Sequence, residues 1–191
     1  MLVAVYLAII KAGGIVVATM PMLRTKELSY FIQKAQINLA LCDHRLLAEL
    51  KNAQALCADL KQIVTWGDGD GSSLERMMAN ASSDFTAVDT AADDICLISF
   101  TSGTTGEPKG TLHYHRDLLA ITDTYGARVL KASPDDIFIG SPPLAFTFGL
   151  GGIVLFPLRI GAATVMLERA SPDDLLPAIE RFKASVCFTC L

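Results

Sequence analysis

The first apolar run of the chain is patterned as a helix followed by a strand. Its spacing predicts a buried helix from Leu2 to Ala12, which the pair Gly13–Gly14 ends. The β-branched residues that follow predict a strand over Ile15–Thr19. The run approaches the length of a membrane span, but Lys11 lies at its middle and no basic segment precedes it. We therefore expect neither a membrane span nor a signal peptide.

Further along, helical and strand-like segments alternate. Thr25 is the predicted N-cap of a helix whose apolar residues recur at helical spacing, namely Leu28, Phe31, Ile32 and Ala35. The predicted strands are Ile37–Cys42, Gln62–Trp66 and Ile95–Phe100, and leucines at 46, 47 and 50 predict a helix between the first two. Ser171–Asp174 predicts the start of a late helix, and Val186–Leu191 a buried strand. This alternation is typical of an α/β fold.

Composition and charge narrow the class of protein. With 51% hydrophobic and 19% charged residues, the 191-residue chain is expected to form a globular core. Sixteen basic and twenty acidic side chains give a net charge of −4 without a dense basic run, so we expect no nucleic-acid partner. The five cysteines, an odd number, are typical of a reducing compartment and predict a cytoplasmic protein.

The segment Thr101–Gly110 combines residue types that bind phosphate. Its three glycines let backbone N–H groups approach an anion, its four hydroxyls add donors, and Lys109 adds a positive charge. An apolar strand precedes it, and a helical face follows on Leu118, Ile121, Thr122, Tyr125 and Val129, which predicts strand–loop–helix. Lys109 lies between Pro108 and Gly110, so the segment is not a Walker loop. A flexible surface loop is the alternative, and the density of glycine, hydroxyl and lysine favours the phosphate site.

The sequence Phe100–Gly110 resembles the phosphate-binding loop of the adenylate-forming enzymes, which include acyl- and aryl-CoA ligases, luciferases and peptide-synthetase adenylation domains. Leu7–Pro21 resembles the unit that precedes this loop in the family, and Gly110–Leu118, with His115, resembles the segment that follows it. The resemblance covers essentially the whole chain. It implies part of the large N-terminal domain of such an enzyme, an α/β fold with helices packed on a mainly parallel sheet.

The resemblance also implies a two-step reaction. ATP with Mg²⁺ activates a carboxylic acid as an acyl-adenylate and releases pyrophosphate, and a thiol, that of CoA or of a carrier protein, then accepts the acyl group. We therefore expect ATP, Mg²⁺ and CoA to take part together with a small carboxylic acid. By the same resemblance, the residues that bind the β- and γ-phosphates are Thr101, Ser102, Gly103, Thr104, Thr105, Gly106 and Lys109.

Pro143–Gly149 resembles the family's next motif, a turn between strand and helix that lines the carboxylate pocket. The resemblance implies that Phe146 and Gly149 border the acid. The family often has histidine where this chain has Phe146, and an aromatic residue there is similar to the benzoate and 2-aminobenzoate CoA ligases. Contact between rings suits a flat apolar acid, and the uncharged segment offers no partner for the ammonium of an amino acid. Without the resemblance, Phe146 would be interpreted as a core residue.

The family's later motifs are absent from the sequence. They supply a magnesium-binding glutamate, a ribose-binding aspartate, an arginine and the catalytic lysine of a mobile C-terminal domain, and we expect them beyond Leu191. Residues 1–191 are accordingly expected to be a fragment of the N-terminal adenylation domain without the C-terminal domain. We further expect Met1 to be an internal methionine, and these residues alone to catalyse no complete ligation.

Two pairs of residues have a spacing seen in metal sites, but neither is sufficient to predict one. Cys187 and Cys190 have the spacing of a zinc or redox pair, but they lie in an apolar strand, so we favour core packing. His113 and His115 have no third ligand nearby in the sequence, and His115 is expected to fix the segment after the loop. No metal site is predicted from either pair.

The leading hypothesis is an ATP-dependent ligase that joins an aromatic carboxylic acid to CoA. A fatty-acid or amino-acid adenylating enzyme is the nearer alternative. A non-catalytic nucleotide-binding remnant, which keeps the loop and has lost the chemistry, is a second alternative from a different class. An unrelated phosphate-binding module would leave the flanking resemblance unexplained.

Overall fold

The computed structural model describes residues 1–68, 73–101 and 106–189. These residues divide into two compact units. The first unit contains Met1–Thr90 and Phe100–Thr111, and the second contains Ala91–Ser99 and the described residues from Leu112 onward. Helices and strands alternate along the chain, which confirms the predicted α/β class.

The first unit is built around a small parallel sheet. Its elements are α1 (Leu2–Lys11), α2 (Thr25–Ala35), β1 (Leu39–Asp43), α3 (Leu47–Leu56), β2 (Gln62–Trp66) and α4 (Ser73–Ala79). Strands β1 and β2 pair in parallel, with Leu39 beside Gln62. Ile32 of α2 and Ala53 of α3 are buried in one apolar cluster, against which Ile63 of β2 packs. The two helices therefore bury their apolar faces together with the strands, as the periodicity predicts.

In the N-terminal apolar run, the predicted helix is present and the predicted strand is not. Helix α1 ends at Lys11, and Gly13 adopts a φ of +74°, which glycine adopts without strain. The predicted strand Ile15–Thr19 is wrong, because Val16 alone forms a bridge there. Val16 is buried, so the apolar character of this segment reflects burial rather than a ladder of hydrogen bonds. No described helix is long and apolar enough to span a membrane.

Helix α2 was predicted correctly, but its N-cap was not. Arg24 occupies the N-cap position, and Thr25 is the first helical residue. The Thr25 backbone N–H and hydroxyl both donate to Oε2 of Glu49 on α3, at 2.8 and 2.7 Å. These hydrogen bonds lower the pKa of the Glu49 carboxyl. The threonine therefore links two helices instead of capping its own.

Strands β3 (Ile95–Thr101) and β4 (Lys109–Tyr114) pair with each other and contribute residues to both units. Strand β3 confirms the predicted Ile95–Phe100. The predicted strand–loop–helix order is wrong, because β4 follows the loop and helix α5 (His115–Ile121) begins only afterwards. The first four residues of β4 are exposed, so the segment lacks the apolar alternation that signals a strand. Its conformation depends on pairing with β3, which the local sequence does not reveal.

Helix α5 continues as a π-helical segment, Thr122–Val129. The Leu130 N–H donates to the Tyr125 carbonyl at 2.9 Å, a bond that spans five residues. The wider turn changes which side chains face inward. Thr122 and Gly126 are buried, whereas Tyr125 and Val129 of the predicted apolar face are exposed.

The second unit contains a three-stranded parallel sheet. Its further elements are β5 (Ile137–Gly140), α6 (Thr147–Gly149), α7 (Phe156–Ile160), β6 (Ala163–Val165), α8 (Pro172–Phe182) and β7 (Val186–Phe188). The strand order is β6–β5–β7, and both pairings are parallel. Phe138, Phe156 and Phe188 form an aromatic core cluster. The parallel pairings agree with the mainly parallel sheet predicted, although the described strands form three separate sheets.

The last helix and strand agree with the sequence in outline. Ser171 is the N-cap of α8, and its hydroxyl accepts the Asp174 N–H at 3.3 Å. Strand β7 ends at Phe188, shorter than the predicted Val186–Leu191. Cys187 is exposed on β7 while its neighbour Phe188 is buried, so the predicted core packing of this cysteine is wrong. Cys190 lies outside the described residues.

Candidate functional site

The predicted phosphate-binding residues lie between β3 and β4. Thr101 is the last residue of β3, and Lys109 is the first residue of β4. Ser102, Gly103, Thr104 and Thr105 lie outside the described residues. Gly106 has a φ of +95°, and a Cβ atom added to it would meet no atom within 4 Å. Glycine is therefore required at this position by backbone conformation rather than by crowding.

Two side-chain hydrogen bonds show the relative direction of β3 and β4, the strands on either side of this segment. The Cys96 thiol donates to the His113 carbonyl at 3.5 Å, and the Thr101 hydroxyl donates to the Lys109 carbonyl at 3.5 Å. The residue number rises from 96 to 101 along β3 and falls from 113 to 109 along β4, so the two strands are antiparallel. Burial raises the pKa of the Cys96 thiol, which keeps it protonated and able to donate. The pairing brings Thr101 and Lys109 together.

The Lys109 side chain is exposed. No carboxylate of the described residues forms an ion pair with its ammonium. Pro108, which precedes it, fixes its own φ and stiffens the chain at this point. An exposed cation on a stiff strand end, without an acidic partner among the described residues, can bind a phosphate as a point charge.

Sequence reasoning missed one residue at this segment. Tyr30 lies on α2, and its hydroxyl donates to the Pro108 carbonyl at 2.9 Å. A tyrosine at an interior position of an amphipathic helix carries no signal for such a bond, because its partner lies 78 residues away along the chain. The pattern that placed Phe31 in the core gave Tyr30 no role.

The predicted acid-binding segment follows β5 in the second unit. Phe146 is the N-cap of α6, and its N–H donates to the Pro143 carbonyl at 3.1 Å. Phe146 is 44% exposed, which overturns its interpretation as a core residue. Phe148 is 47% exposed, and its ring meets the ring of buried Phe188 edge-on at 5.6 Å. Two aromatic rings are thus available on one short turn.

Gly149 allows this turn to close. A Cβ atom at Gly149 would fall 2.6 Å from the carbonyl oxygen of Pro142 and closer still to that of Pro143. Both oxygens belong to the backbone, which cannot move aside as a side chain can. Any larger residue at 149 would therefore displace the segment that carries Phe146.

The carboxyl ends of β5 and β7 lie beside each other next to this turn. The Ser141 N–H donates to the Phe188 carbonyl at 3.0 Å, and the hydroxyls of Ser141 and Thr189 are 3.0 Å apart. The carboxyl ends of parallel strands are where open α/β sheets bind ligands. Neither hydroxyl stood out in the sequence, because the proximity of the two strands is a long-range contact.

The histidines after the loop do not form a metal site with other described residues. His113 lies in β4, and the His115 N–H donates to the Asp94 carbonyl at 3.1 Å where α5 begins. Among the described residues, no three His, Cys, Asp or Glu side chains lie close enough together to hold a metal ion.

The chain matches a known family over nearly its whole length. A family model described as AMP-binding enzyme matches residues 1–190. Benzoate–CoA ligase of Thauera aromatica is 29% identical over 184 residues, which are 96% of this chain and 35% of that protein. Medium-chain fatty-acid–CoA ligase of Escherichia coli is 30% identical over 186 residues, which are 93% of this chain and 33% of that protein.

A solved structure agrees with these matches. The crystal structure of the anthranilate CoA ligase AuaEII in complex with anthranoyl-AMP has a TM-score of 0.88 at 28% identity, and the match covers 95% of this chain and 36% of that one. The chain spans 33% to 36% of the length of these three proteins. Because the family model matches 190 of the 191 residues, the chain belongs to the family of AMP-binding enzymes.

Proposed function

We propose that this chain takes part in the ATP-dependent activation of a carboxylic acid, followed by transfer of the acyl group to CoA. The observation that carries the proposal is the segment between two paired strands that ends in an exposed lysine, within a chain of this family. It supplies backbone N–H groups, hydroxyls and one positive charge, the groups that bind phosphate. Residues 1–191 would then belong to the N-terminal adenylation domain of the enzyme.

The first chemical step explains why these residue types are needed. A carboxylate oxygen of the acid attacks the α-phosphorus of ATP, the bond from that phosphorus to the bridging oxygen breaks, and pyrophosphate leaves. Negative charge accumulates on the departing pyrophosphate, so a fixed cation near the β- and γ-phosphates lowers the barrier. We assign this role to Lys109, and phosphate binding to Thr101, Gly106 and the four residues between Thr101 and Gly106.

The second step transfers the acyl group. The sulfur of CoA attacks the acyl carbon, the thiol loses its proton, and AMP leaves. Magnesium, when bound, would neutralise phosphate charge in the first step. Among the described residues, no group of three His, Cys, Asp or Glu side chains lies close enough together to hold the ion.

The location is proposed to be the cytoplasm, where ATP and CoA are abundant. The described cysteines Cys42, Cys57, Cys96 and Cys187 are free thiols, which supports this location.

The acid is proposed to be aromatic. Phe146 is exposed, and Gly149 lets the turn that carries it pack closely on the backbone of Pro142 and Pro143. A flat acid can therefore lie against an apolar surface at this turn. The benzoate–CoA ligase and anthranilate CoA ligase named above support this choice. The fatty-acid–CoA ligase, at similar identity, keeps an alkyl acid as the second candidate.

A panel of acids tests the substrate class. The full-length gene product that contains these residues is incubated with ATP, Mg²⁺, CoA and one acid at a time, and the rate of pyrophosphate release is measured. We expect benzoate and 2-aminobenzoate to exceed octanoate and amino acids by about tenfold or more in kcat/KM. Preference for octanoate would favour the alkyl alternative, and preference for an amino acid would contradict the apolar pocket. No release with any acid would support a nucleotide-binding remnant.

A further inference from the structure

A hydrogen bond from another helix holds the peptide group that leads into Lys109. The Tyr30 hydroxyl on α2 donates to the Pro108 carbonyl at 2.9 Å. Proline has no N–H, so this carbonyl is the one backbone group of Pro108 that can form a hydrogen bond. The carbonyl belongs to the planar peptide that joins Pro108 to Lys109. The hydrogen bond therefore fixes the orientation of this peptide group, and with it the position of the Lys109 Cα atom.

The Tyr30 ring is itself fixed against the strand that enters the loop. Its neighbour on α2, Phe31, stacks on Phe100 of β3 with ring centroids 4.0 Å apart and planes 10° from parallel. The Tyr30 ring meets Phe31 and Phe100 edge-on, at 6.0 and 6.3 Å. Phe31 and Phe100 are buried. All these residues belong to the first unit, so the donor is positioned by a core contact immediately before Thr101.

A second side chain holds the far side of Lys109. The Thr101 hydroxyl donates to the Lys109 carbonyl at 3.5 Å, a longer contact than that of Tyr30. The carbonyl groups before and after the Lys109 Cα atom thus both accept hydrogen bonds from side chains. The Lys109 backbone is constrained while its ammonium stays exposed. Such preorganisation is what electrostatic stabilisation of a leaving group requires.

We propose that Tyr30 is a positioning residue for Lys109 in the binding and activation of ATP. This inference rests on the proposed function, since it assigns Tyr30 an effect on that reaction. The Tyr30 hydroxyl acts through the backbone carbonyl of Pro108. Its expected effect is therefore on ATP and the departing pyrophosphate, and not on the acid.

Tyr30→Phe tests the proposal because it removes the hydroxyl and keeps the ring that packs on Phe100. In acid-dependent exchange of labelled pyrophosphate into ATP by the full-length gene product, we expect kcat/KM for ATP to fall about threefold to tenfold, the range for one lost hydrogen bond. The KM for the acid should stay unchanged, and the melting temperature should fall by no more than a few degrees, the cost of one hydrogen bond. Tyr125→Phe is the matched control, since no hydrogen bond of the Tyr125 hydroxyl is found within the described residues, and it should behave as wild type.

A double-mutant cycle with Lys109→Ala distinguishes positioning from a general structural effect. If Tyr30 acts through Lys109, Tyr30→Phe should have almost no further effect once the ammonium is gone. Equal fold-losses in the presence and absence of the lysine would overturn the proposal. A matching rise in the KM for the acid would also contradict it, because a damaged fold would affect both substrates.

Hydrogen exchange separates failure of this inference from failure of the proposed function. If none of the acids tested supports pyrophosphate exchange by the wild-type enzyme, the proposed function is wrong. The restraint on the loop can still be measured, as amide exchange in peptides that cover residues 106–111 of the full-length protein. Tyr30→Phe should speed that exchange relative to wild type and to Tyr125→Phe. Exchange as slow as in wild type would show that the hydroxyl does not hold this segment.

Discussion

The two candidate binding segments are held in place by different kinds of contact. The strand ends at Thr101 and Lys109 are exposed, and the side chains of Tyr30 and Thr101 donate hydrogen bonds to the carbonyls on either side of the Lys109 Cα atom. The turn that carries Phe146 is held by its own backbone, through the hydrogen bond from the Phe146 N–H to the Pro143 carbonyl and the close packing at Gly149. Glycine illustrates the difference, because an added Cβ meets nothing at Gly106 and meets two carbonyl oxygens at Gly149.

Because of this difference, we expect a substitution at Lys109 to affect activity alone, and a substitution at Gly149 to affect both activity and stability. Around Lys109 the side chain that carries the charge buries little surface, so its removal should cost function and leave the fold intact. Around Gly149 the shape of the turn is also part of the packing, so a change there should affect both.

The largest effect is expected at Lys109. Lys109→Ala should lower kcat for acid-dependent pyrophosphate release about 100-fold to 1,000-fold, about 3 to 4 kcal/mol, because the charge on the departing pyrophosphate loses its stabilising cation. The free energy of unfolding should change by less than about 0.5 kcal/mol, since the side chain is exposed. Steady-state kinetics and denaturant unfolding of the full-length protein measure the two quantities.

Lys26→Ala is the matched control for this prediction. It removes the same charge from an exposed position on α2 and should leave both quantities at their wild-type values. Wild-type activity in Lys109→Ala would refute the assignment of Lys109. A large loss of stability in that variant would instead remove the contrast between the two segments.

A smaller effect, on stability, is expected at Gly149. Gly149→Ala should destabilise the protein by about 2 to 3 kcal/mol, because the added Cβ overlaps backbone oxygens of Pro142 and Pro143. Gly151→Ala is the comparison, since its Cβ would approach the Phe156 ring at 3.3 Å, and a ring can tilt. We expect it to cost less than about 1 kcal/mol. Equal costs in thermal or denaturant unfolding would mean that the turn tolerates rearrangement.

Local patterns of the sequence predicted the elements whose conformation depends on their own residues. Strand β2 has the predicted bounds Gln62–Trp66, α1 ends within one residue of the prediction, and Ser171 caps α8 as expected. In each of these, apolar periodicity or a capping side chain lies inside the element itself.

The elements that depend on distant partners were missed. Strand β4 has an exposed, polar first half and exists because β3 pairs with it. The bond between Tyr30 and Pro108, 78 residues apart, had no local signal either. Thr25 had the residue type of an N-cap, but Glu49 of another helix accepts its hydrogen bonds. The phosphate-binding segment was indicated by its residue types, and the roles of single residues came from the family resemblance. The structure adds the contacts that hold Lys109 and Gly149.

Amide hydrogen exchange of the full-length protein with and without ATP tests most directly whether the segment between β3 and β4 binds the phosphates. If it does, ATP should slow exchange in peptides that cover residues 106–111, which include Lys109. The same peptides in Lys109→Ala should be protected much less at an equal ATP concentration. Protection of other peptides by ATP, with residues 106–111 unchanged in the wild-type protein, would contradict the proposal that this segment binds the phosphates.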